Sequence, residues 1–469
     1  MNYKTYFLQF IVLLTASSNI VAQGAPLWIQ SANNWAAQSA QNEESSQGGS
    51  SFAVATSNNQ NFFATLNTTG SSTPPYPQSL SLRIFTSDPQ LGTNALPIIT
   101  VPLEQFSNFF DVQYTKVSAG GSIIAFTYGV KNNATSSWWA KAFTYDLATQ
   151  TLTTILNKDT GLHSGNYFSG SKYSIFANQT GSRVVLTEQL FGVNGKKIYL
   201  KETSQNSISE WILPFSYFTY EGKYKLSRSG NALLYLGDAS SSFPIVIDLN
   251  TLIATNNVTT SMKLLPTLPG NTKFDLSTNA LVLTFIYSHY VPGTSSWLPA
   301  LAVYKASGSS YILMYTKIFN LAPLETGNGT MVRVSPDGRT IAIASKRGLS
   351  QNDHQGQLSI LHTRSGEVFY QRNFNSQMQF TDMAYNSGGR LAYGIINASL
   401  DSTLPTLFGL QISANSVTEL FSIIPYPTVP KNVLSLELSP SGSHYGIGYG
   451  SYSGSISTSP GGFAMGSMQ

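Results

Sequence analysis

The chain of 469 residues is 42% hydrophobic, which is enough apolar material to build a large core. Only 10% of the residues are charged, whereas an average soluble protein has about 25%. The formal net charge of +4 comes without a run of Lys or Arg, which argues against a nucleic-acid partner. The absence of cysteine excludes disulfides, Cys-ligated zinc and a thiol nucleophile.

The N-terminal residues have the layout of a secretory signal peptide. Lys4 precedes the apolar run 7–14, and a cleavage site follows at Ala22. We therefore predict a signal peptide at 1–22 and an exported protein, secreted or, in a bacterium, periplasmic. The apolar run is too short to serve as a membrane anchor, so we expect no stable membrane span after cleavage.

The segments at the two ends of the mature chain are polar. Residues 23–50 are rich in Gln, Asn, Ser and Ala and are interpreted as a low-complexity linker with one short strand at 26–30. Residues 451–469 are rich in Gly and Ser and are interpreted as a tail with a weak strand around 455–457.

Eight stretches between residues 51 and 450 alternate apolar and polar side chains on both sides of a turn, as β-hairpins with one buried face do. In the clearest, TMVRVSPDGRTIAIAS at 330–345, Pro336 and Gly338 supply the backbone angles that reverse the chain. The other hairpins are predicted at 51–66, 113–129, 172–188, 223–237, 273–285, 383–395 and 433–450.

A second strand pair follows most of these hairpins. It is predicted at 141–156, 244–254, 358–371 and 408–423. Asp146 and Asp248 occupy the same place in two of these pairs, at the start of the turn, where a carboxylate accepts hydrogen bonds from turn N–H groups. We predict turn capping rather than catalysis for both.

Four strands per unit, repeated along 51–450, predict an all-β fold, a β-propeller of four-stranded blades. Eight hairpins favour eight blades; seven is the alternative if one hairpin is irregular. The ring is expected to close by pairing of strands from the two termini, with 26–30 as the outer strand of the last blade.

The turns at 335–338 (SPDG) and 439–442 (SPSG) resemble those of the WD40-like repeats in TolB-type propellers. The resemblance covers two units well and the others weakly. It implies the fold and little about activity, because such propellers act as scaffolds, periplasmic binding proteins and enzyme domains alike.

The sequence Thr-Ser-Ser-Trp occurs twice just before a predicted third strand, at 135–138 and 294–297. Exposed tryptophan rings would suit a sugar or an extended ligand, so Trp138, Trp139 and Trp297 are candidate binding residues. The alternative is that each ring packs between neighbouring blades.

Two loops carry the histidines of interest. The fifth unit has His289 and Tyr290, and the sixth has Asp353 and His354. Side chains from these loops could meet at the rim of one funnel and bind a metal or act as acid and base. Their spacing matches no metal motif, so exposed loop residues are the alternative. No cofactor is predicted; calcium would belong to an enzymatic alternative.

The chain contains six sequons for N-glycosylation. They are Asn67, Asn133, Asn178, Asn257, Asn328 and Asn397. Asn67, Asn133 and Asn397 each follow the predicted second strand of a unit, so glycans there would crowd one rim of the ring.

The first functional hypothesis is a secreted, non-catalytic propeller that binds a protein or glycan partner through loops on one face. Two alternatives stay open: a metal-dependent hydrolase or lactonase with a site in the central funnel, and a structural component of a surface or matrix. No G-x-S-x-G elbow is present in the context of a strand, turn and helix, which disfavours serine hydrolase chemistry.

Overall fold

The computed structural model describes residues 25–32, 38–39, 51–70, 78–90, 95–106, 112–132, 137–160, 171–190, 196–214, 222–237, 241–269, 272–292, 296–319, 331–350, 353–376, 378–397, 406–425, 433–450 and 461–468. These residues form eight antiparallel blades of at least four strands each. The eight-bladed β-propeller is thereby confirmed, and the seven-bladed alternative is wrong.

Each blade runs from an inner strand beside the central axis to an outer strand at the periphery. The inner strands of blades 1 to 8 are Ser51–Ser57, Val112–Gly120, Ser171–Ala177, Gly222–Leu226, Lys273–Leu276, Met331–Val334, Met378–Asn386 and Val433–Leu438. The second strands are Gln60–Gly70, Ile123–Asn132, Arg183–Leu190, Ala232–Gly237, Val282–Val291, Thr340–Ser350, Arg390–Asn397 and His444–Gly450.

The peripheral half of each blade contains two more strands. The third strands are Gln78–Thr86, Ser137–Asp146, Lys197–Glu202, Ile245–Asp248, Ser296–Ser307, Asp353–His362, Thr406–Ile412 and Gly461–Ser467. The outer strands are Ile99–Phe106, Thr151–Asp159, Ile208–Ile212, Met262–Leu264, Ser310–Ile318, Val368–Ser376, Val417–Ile423 and Pro26–Ala32. Gln38–Ser39 adds a parallel strand to blade 1, and Ser241–Ser242 pairs with Leu268–Pro269.

Blade 4 departs from the predicted pattern. After Asp248 the chain forms helices α1 (Leu249–Thr255) and α2 (Val258–Ser261), so the strand pair predicted over 244–254 is wrong beyond Asp248. The Asp248 carboxylate caps α1 by accepting a hydrogen bond from Thr251 N at 3.0 Å. Asp146 accepts one from Ala148 N at 2.9 Å and caps its turn as predicted, whereas Asp248 caps a helix instead of a turn.

The same side-chain hydrogen bond recurs in the turn between the inner and the second strand of several blades. A serine hydroxyl at the start of the turn accepts a hydrogen bond from the backbone N–H five residues later, which fixes the reversal of the chain. These serines are Ser227, Ser277, Ser335 and Ser439, with oxygen–nitrogen distances of 2.9 to 3.1 Å. In blade 3 the Asn178 side chain takes this role and accepts from Arg183 N at 2.9 Å.

The tips of these turns are bonded to one another around the axis. Gln179 N of blade 3 donates to Arg228 O of blade 4 at 2.7 Å, and Ser229 N donates to Thr278 O of blade 5 at 3.0 Å. Thr278 N then donates to Pro336 O of blade 6 at 3.0 Å. Neighbouring blades are therefore tied by backbone hydrogen bonds as well as by apolar packing.

The ring closes as predicted through strands from the two ends of the chain. Pro26–Ala32 pairs antiparallel with Gly461–Ser467 and forms the outer strand of blade 8. The third strand of that blade is therefore Gly461–Ser467; the weak strand expected at 455–457 lies outside the described residues. The glycines of Gly461–Ser467 make this strand hard to predict from the sequence, because Gly is depleted in strands. Gly466 is needed because a Cβ there would lie 2.2 Å from the Tyr445 ring.

An aromatic cluster fills the seam between blades 8 and 1. The rings of Phe52 and Phe63 stack at 5.0 Å, and Phe463 meets them edge-on at 6.0 and 5.5 Å. All three side chains are fully buried. Aromatic pairs in this geometry add stabilisation beyond the area that they bury, so this cluster holds the closed ring together.

Replacing Phe463 by Ala is expected to destabilise the protein by about 3–5 kcal/mol, because it leaves a cavity in the closure seam. The measurement is chemical unfolding together with the thermal midpoint. Phe243→Ala is the matched control, since Phe243 is 55% exposed and its removal should change stability by less than about 0.5 kcal/mol. Equal stability of the two variants would contradict the role assigned to the seam.

Candidate functional site

Charged side chains gather on the inner strands, although charge is scarce in this chain. In four blades a charged residue, an aliphatic residue and the turn serine follow one another: Lys225-Leu226-Ser227, Asp275-Leu276-Ser277, Arg333-Val334-Ser335 and Glu437-Leu438-Ser439. All four charged residues line one cavity, which also touches the other inner strands. This repeated pattern of a charged, an aliphatic and a serine residue is the sequence signal for the cavity.

Asp275 links three blades. Its Oδ1 lies 2.6 Å from Lys225 Nζ of blade 4, and its Oδ2 accepts a hydrogen bond from Val334 N of blade 6 at 2.7 Å. Burial alone would raise the pKa of this carboxyl, but the charges of Lys225 and Arg333 and the two hydrogen bonds outweigh burial and lower it. Asp275 is therefore an ionised interblade clamp.

Asp382 repeats the arrangement two blades further on. Its Oδ2 accepts a hydrogen bond from Leu436 N of blade 8 at 2.8 Å, and its Oδ1 accepts from Met383 N at 2.7 Å. The same Oδ1 lies 3.5 Å from a terminal nitrogen of Arg333 in blade 6. As in Asp275, one carboxylate oxygen accepts a backbone N–H of the next blade, while Oδ1 binds within its own strand and lies near Arg333.

Arg228 crosses the channel at its turn end. This residue follows Ser227 in blade 4, and its guanidinium donates hydrogen bonds to Asn386 Oδ1 and to Tyr385 O of blade 7. Burial lowers the pKa of this guanidinium, while the charges of Asp275 and Glu437 act in the opposite direction. The Arg228 side chain thus connects two blades that are not neighbours.

The cavity beside these residues measures about 120 Å³. Sites for drug-sized ligands are usually about 300–1,000 Å³. The axial cavity therefore has room for a small molecule or ion with water, but not for an oligosaccharide or a peptide segment.

The tryptophans predicted to bind a ligand lie elsewhere, within strands at the opposite end of the blades. Trp138 is only 2% exposed and packs with Ile175 between blades 2 and 3. This matches the alternative in which the ring packs between neighbouring blades instead of binding a ligand. Trp139 is partly buried against the core of blades 1 and 2. Trp297 stands opposite Tyr290 in blade 5, but its side chain lies outside the described residues.

The polar candidates lie at that same end. Tyr290 is 46% exposed, and His289 is half-buried. Asp353 and His354 belong to the third strand of blade 6 rather than to a loop, and their side chains lie outside the described residues. Blades 5 and 6 are neighbours, so their hairpins share a rim, but a common site for these residues stays a prediction.

Two predicted glycosylation sites are buried in the fold. Asn178 caps its turn, and Asn67 lies within a second strand rather than after it, so neither position leaves room for a glycan. Asn257 is exposed and caps α2. Asn133 and Asn328 lie outside the described residues, as does the side chain of Asn397.

Five exposed apolar side chains form an arc on the rim that carries the connections between second and third strands. This rim arc consists of Ile212, Phe243, Leu264, Tyr290 and Ile318, which are each 45–61% exposed and belong to the consecutive blades 3, 4 and 5. Phe243 and Leu264 are close in space, because Leu265 N donates to Pro244 O at 3.0 Å. Exposed apolar side chains on neighbouring blades at one rim are a candidate contact site.

In the described part of the chain, no three His, Asp or Glu side chains are grouped so as to hold a metal ion. Nor does any helix among the described residues have the length and apolar character needed to cross a membrane.

The fold defines the chain as an eight-bladed β-propeller. No family model matches it, and no curated protein matches its sequence. Among solved structures, the propeller domain of the Trilobed protease from Pyrococcus furiosus is similar at 8% identity and a TM-score of 0.44, over 75% of this chain and 96% of that one.

Two further structures resemble the fold. A periplasmic gluconolactonase from Pseudomonas aeruginosa is 12% identical with a TM-score of 0.38, over 78% of this chain and 96% of that chain. An oligogalacturonate lyase in complex with manganese is 13% identical with a TM-score of 0.37, over 71% and 83% of the respective chains. At these values the similarities concern the fold and not the activity.

Asp275→Asn is expected to lower stability at pH 7 by about 3 kcal/mol, because the charge facing Lys225 is lost. The folded pKa of Asp275 is below its unfolded value of about 3.9, so the stabilisation is present above that pH and is lost as the pH falls through the folded pKa. The thermal midpoint of the variant should therefore fall less than that of the wild type between pH 5 and pH 3.

The control for this experiment is Glu367→Gln, which removes an exposed carboxylate on blade 6. The thermal midpoint of this variant should fall with pH as much as that of the wild type. If the thermal midpoint of Glu367→Gln fell as little between pH 5 and pH 3 as that of Asp275→Asn, the interblade role of Asp275 would be contradicted.

Proposed function

We propose that this protein is an exported, non-catalytic β-propeller that binds a protein partner through the rim arc on blades 3 to 5. The observation that carries the proposal is the arc itself, five exposed apolar side chains on consecutive blades at one rim. Connections at the rims of rigid folds commonly carry binding residues, because the fold holds them in place at little cost in stability.

The chemistry of the arc favours a protein over a glycan. Ile212, Leu264 and Ile318 are aliphatic, and aliphatic side chains gain binding energy by burying apolar area against a partner. A sugar site would instead combine aromatic faces with polar groups that hydrogen-bond hydroxyls. Trp138, the most conspicuous aromatic candidate for sugar binding, is buried.

The contacts of the axial carboxylates support a binding role over the metal-dependent hydrolase alternative. A catalytic metal would need carboxylate oxygens directed into an open coordination position. Both oxygens of Asp275 are bound to groups of neighbouring blades, and Asp382 accepts one hydrogen bond from its own strand and one from blade 8. These contacts account for the lowered pKa of Asp275.

We also infer that the repeats belong to the WD40-like, TolB-type superfamily. The support is the SPDG turn at 335–338 and the SPSG turn at 439–442, in which the same serine bond stabilises the same reversal. The signal-peptide pattern at the N-terminus supports export.

The lack of native cysteine allows a direct test of the binding rim, since a single introduced thiol can carry a photocrosslinker. Phe243→Cys lies in the rim arc, and Leu281→Cys lies in an inner turn at the opposite end of blade 5; each native side chain is 55% exposed. We expect a discrete crosslinked protein from the extracellular fraction of the source organism with Phe243→Cys and none with Leu281→Cys.

The isolated partner should then bind the double variant Phe243→Ala and Tyr290→Ala at least about tenfold more weakly, since truncating aromatic anchors removes much of the binding energy. Equal crosslinking from both rims, or unchanged affinity of the double variant, would contradict the proposal. A glycan-array signal abolished by the same double variant would replace the protein partner by a glycan.

A chelator separates the binding role from the metal-dependent alternative. Because Lys225, Arg333 and backbone amides bind Asp275 and Asp382, we expect incubation with EDTA to leave the thermal midpoint unchanged. Elemental analysis of the untagged protein is the accompanying measurement. A stoichiometric metal whose removal lowers the midpoint would favour the hydrolase or lactonase alternative.

A further inference from the structure

Blades 8 and 1, which close the ring, contact each other at their turn end through the side chains of His444 and Asn61. Asn61 lies at the start of the second strand of blade 1, and His444 begins the second strand of blade 8. Asn61 Nδ2 is 2.9 Å from His444 Nδ1 and 3.2 Å from Ser443 Oγ. This contact joins residues 383 positions apart in the chain across the closure seam.

The atoms of Asn61 determine the protonation state of His444. The Thr56 hydroxyl donates to Asn61 Oδ1 at 2.7 Å, so the amide nitrogen is the atom that faces the imidazole. An amide nitrogen carries two hydrogens and can only donate. His444 Nδ1 therefore accepts, which requires a neutral ring with its proton on Nε2.

Protonation of His444 would remove this contact. An imidazolium carries a hydrogen on each ring nitrogen, so Nδ1 would become a second donor 2.9 Å from Asn61 Nδ2. Asn61 is 6% exposed and His444 is half-buried, so water has little access to replace the lost bond. A buried donor without an acceptor is costly, and the cost falls on the contact between the two blades.

The charged groups around His444 do not counteract this effect. Among the described residues, the charged side chains on segments packed against the contact are Asp88 of blade 1, Arg390 of blade 7 and Glu437 of blade 8. Burial lowers the pKa of His444, and none of these charges shifts it. The neutral ring is therefore favoured by the packing of the two blades.

The strand that begins at His444 also packs against the aromatic seam. A Cβ at Gly446 would lie 2.5 Å from Val54 Cγ2 and 3.0 Å from the Phe63 ring, so the second strand of blade 8 lies directly against blade 1. A change at His444, two residues before this close approach, therefore acts on the packing that closes the ring.

We propose that the hydrogen bond between Asn61 and His444 makes ring closure sensitive to pH: it holds blades 8 and 1 together at neutral pH and is lost in mildly acidic medium. The unfolded pKa of a histidine is about 6.5, and that of folded His444 is lower. The stabilisation by neutral His444 is thus complete above the unfolded pKa and is lost as the pH falls through the folded pKa. This inference does not depend on the rim arc.

The first test is an NMR titration of protein labelled with ¹³C in its five histidine rings. The His444 signal, assigned by its absence in His444→Asn, should titrate below the usual range for histidine. Asn61→Asp should raise its midpoint, because a carboxylate facing Nδ1 stabilises the imidazolium. His289→Asn is the control, since His289 belongs to the opposite end of blade 5, and it should leave the His444 signal unchanged.

The second test measures opening of the seam, using the lack of native cysteine. Val54→Cys reports on the inner strand of blade 1, and Val332→Cys is the matched control on the inner strand of blade 6; the native side chains are 1% and 0% exposed. The reagent is 4,4′-dithiodipyridine, which reacts with thiols in acid. The labelling rate at position 54 relative to position 332 should rise about two- to tenfold from pH 7.5 to pH 5, as expected for the loss of one hydrogen bond.

His444→Asn should abolish this rise, because its Oδ1 takes the place of Nδ1 as an acceptor that does not titrate in this range. Asn61→Asp is the second variant, in case His444→Asn does not fold; its relative labelling should fall in acid, when the imidazolium pairs with the new carboxylate.

The proposal is overturned if the His444 midpoint is the same in wild type and Asn61→Asp, or if acid does not raise the relative labelling rate of the wild type. A rise that persists in His444→Asn or in Asn61→Asp would assign the acid sensitivity to another group and reject the proposal equally. None of these measurements involves a partner protein, so their outcome is independent of binding at the rim arc.

Discussion

The structure depends on carboxylates of one inner strand that accept backbone N–H groups from the next. Asp275 accepts from Val334, and Asp382 accepts from Leu436, so each aspartate joins the strand that carries it to the following blade. Propeller blades otherwise contact one another through non-directional apolar packing. Hydrogen bonds to an ionised acceptor are about twice as strong as neutral ones, and they fix the register of one inner strand against the next.

The charged side chains near the axis are bound up in these interblade contacts, and this explains where the charged cavity and the apolar rim lie. Asp275 and Asp382 are bound by Lys225, Arg333 and backbone amides, whereas Arg228 donates hydrogen bonds to neutral acceptors of blade 7. The rim arc lies away from this network: Ile212, Leu264, Tyr290 and Ile318 are at or near strand ends on the opposite rim, and Phe243 is in a connection there. One end of the blades thus offers a small charged cavity and the other an apolar rim.

The fold is predictable from the sequence, because the repeated alternation of apolar and polar residues is a local signal, whereas the site is less predictable. The serine turns, the eight units and the closing strand at Pro26–Ala32 were all readable from the sequence. Residue type alone predicts a binding side chain at Trp138 and a glycosylation site at Asn178. Strand pairing places both in the interior, where Asn178 replaces the turn serine.

The sequence by itself determined the blade pattern, since strand periodicity and turn chemistry involve residues only a few positions apart. Only the tertiary structure decided which side chains meet. Arg228 and Asn386 are 158 positions apart in the chain, and no local pattern indicates that a guanidinium from blade 4 spans the channel to blade 7. The physical reason is ring closure: the number and curvature of the blades set the width of the channel, and that width determines which inner-strand charges come within hydrogen-bonding distance.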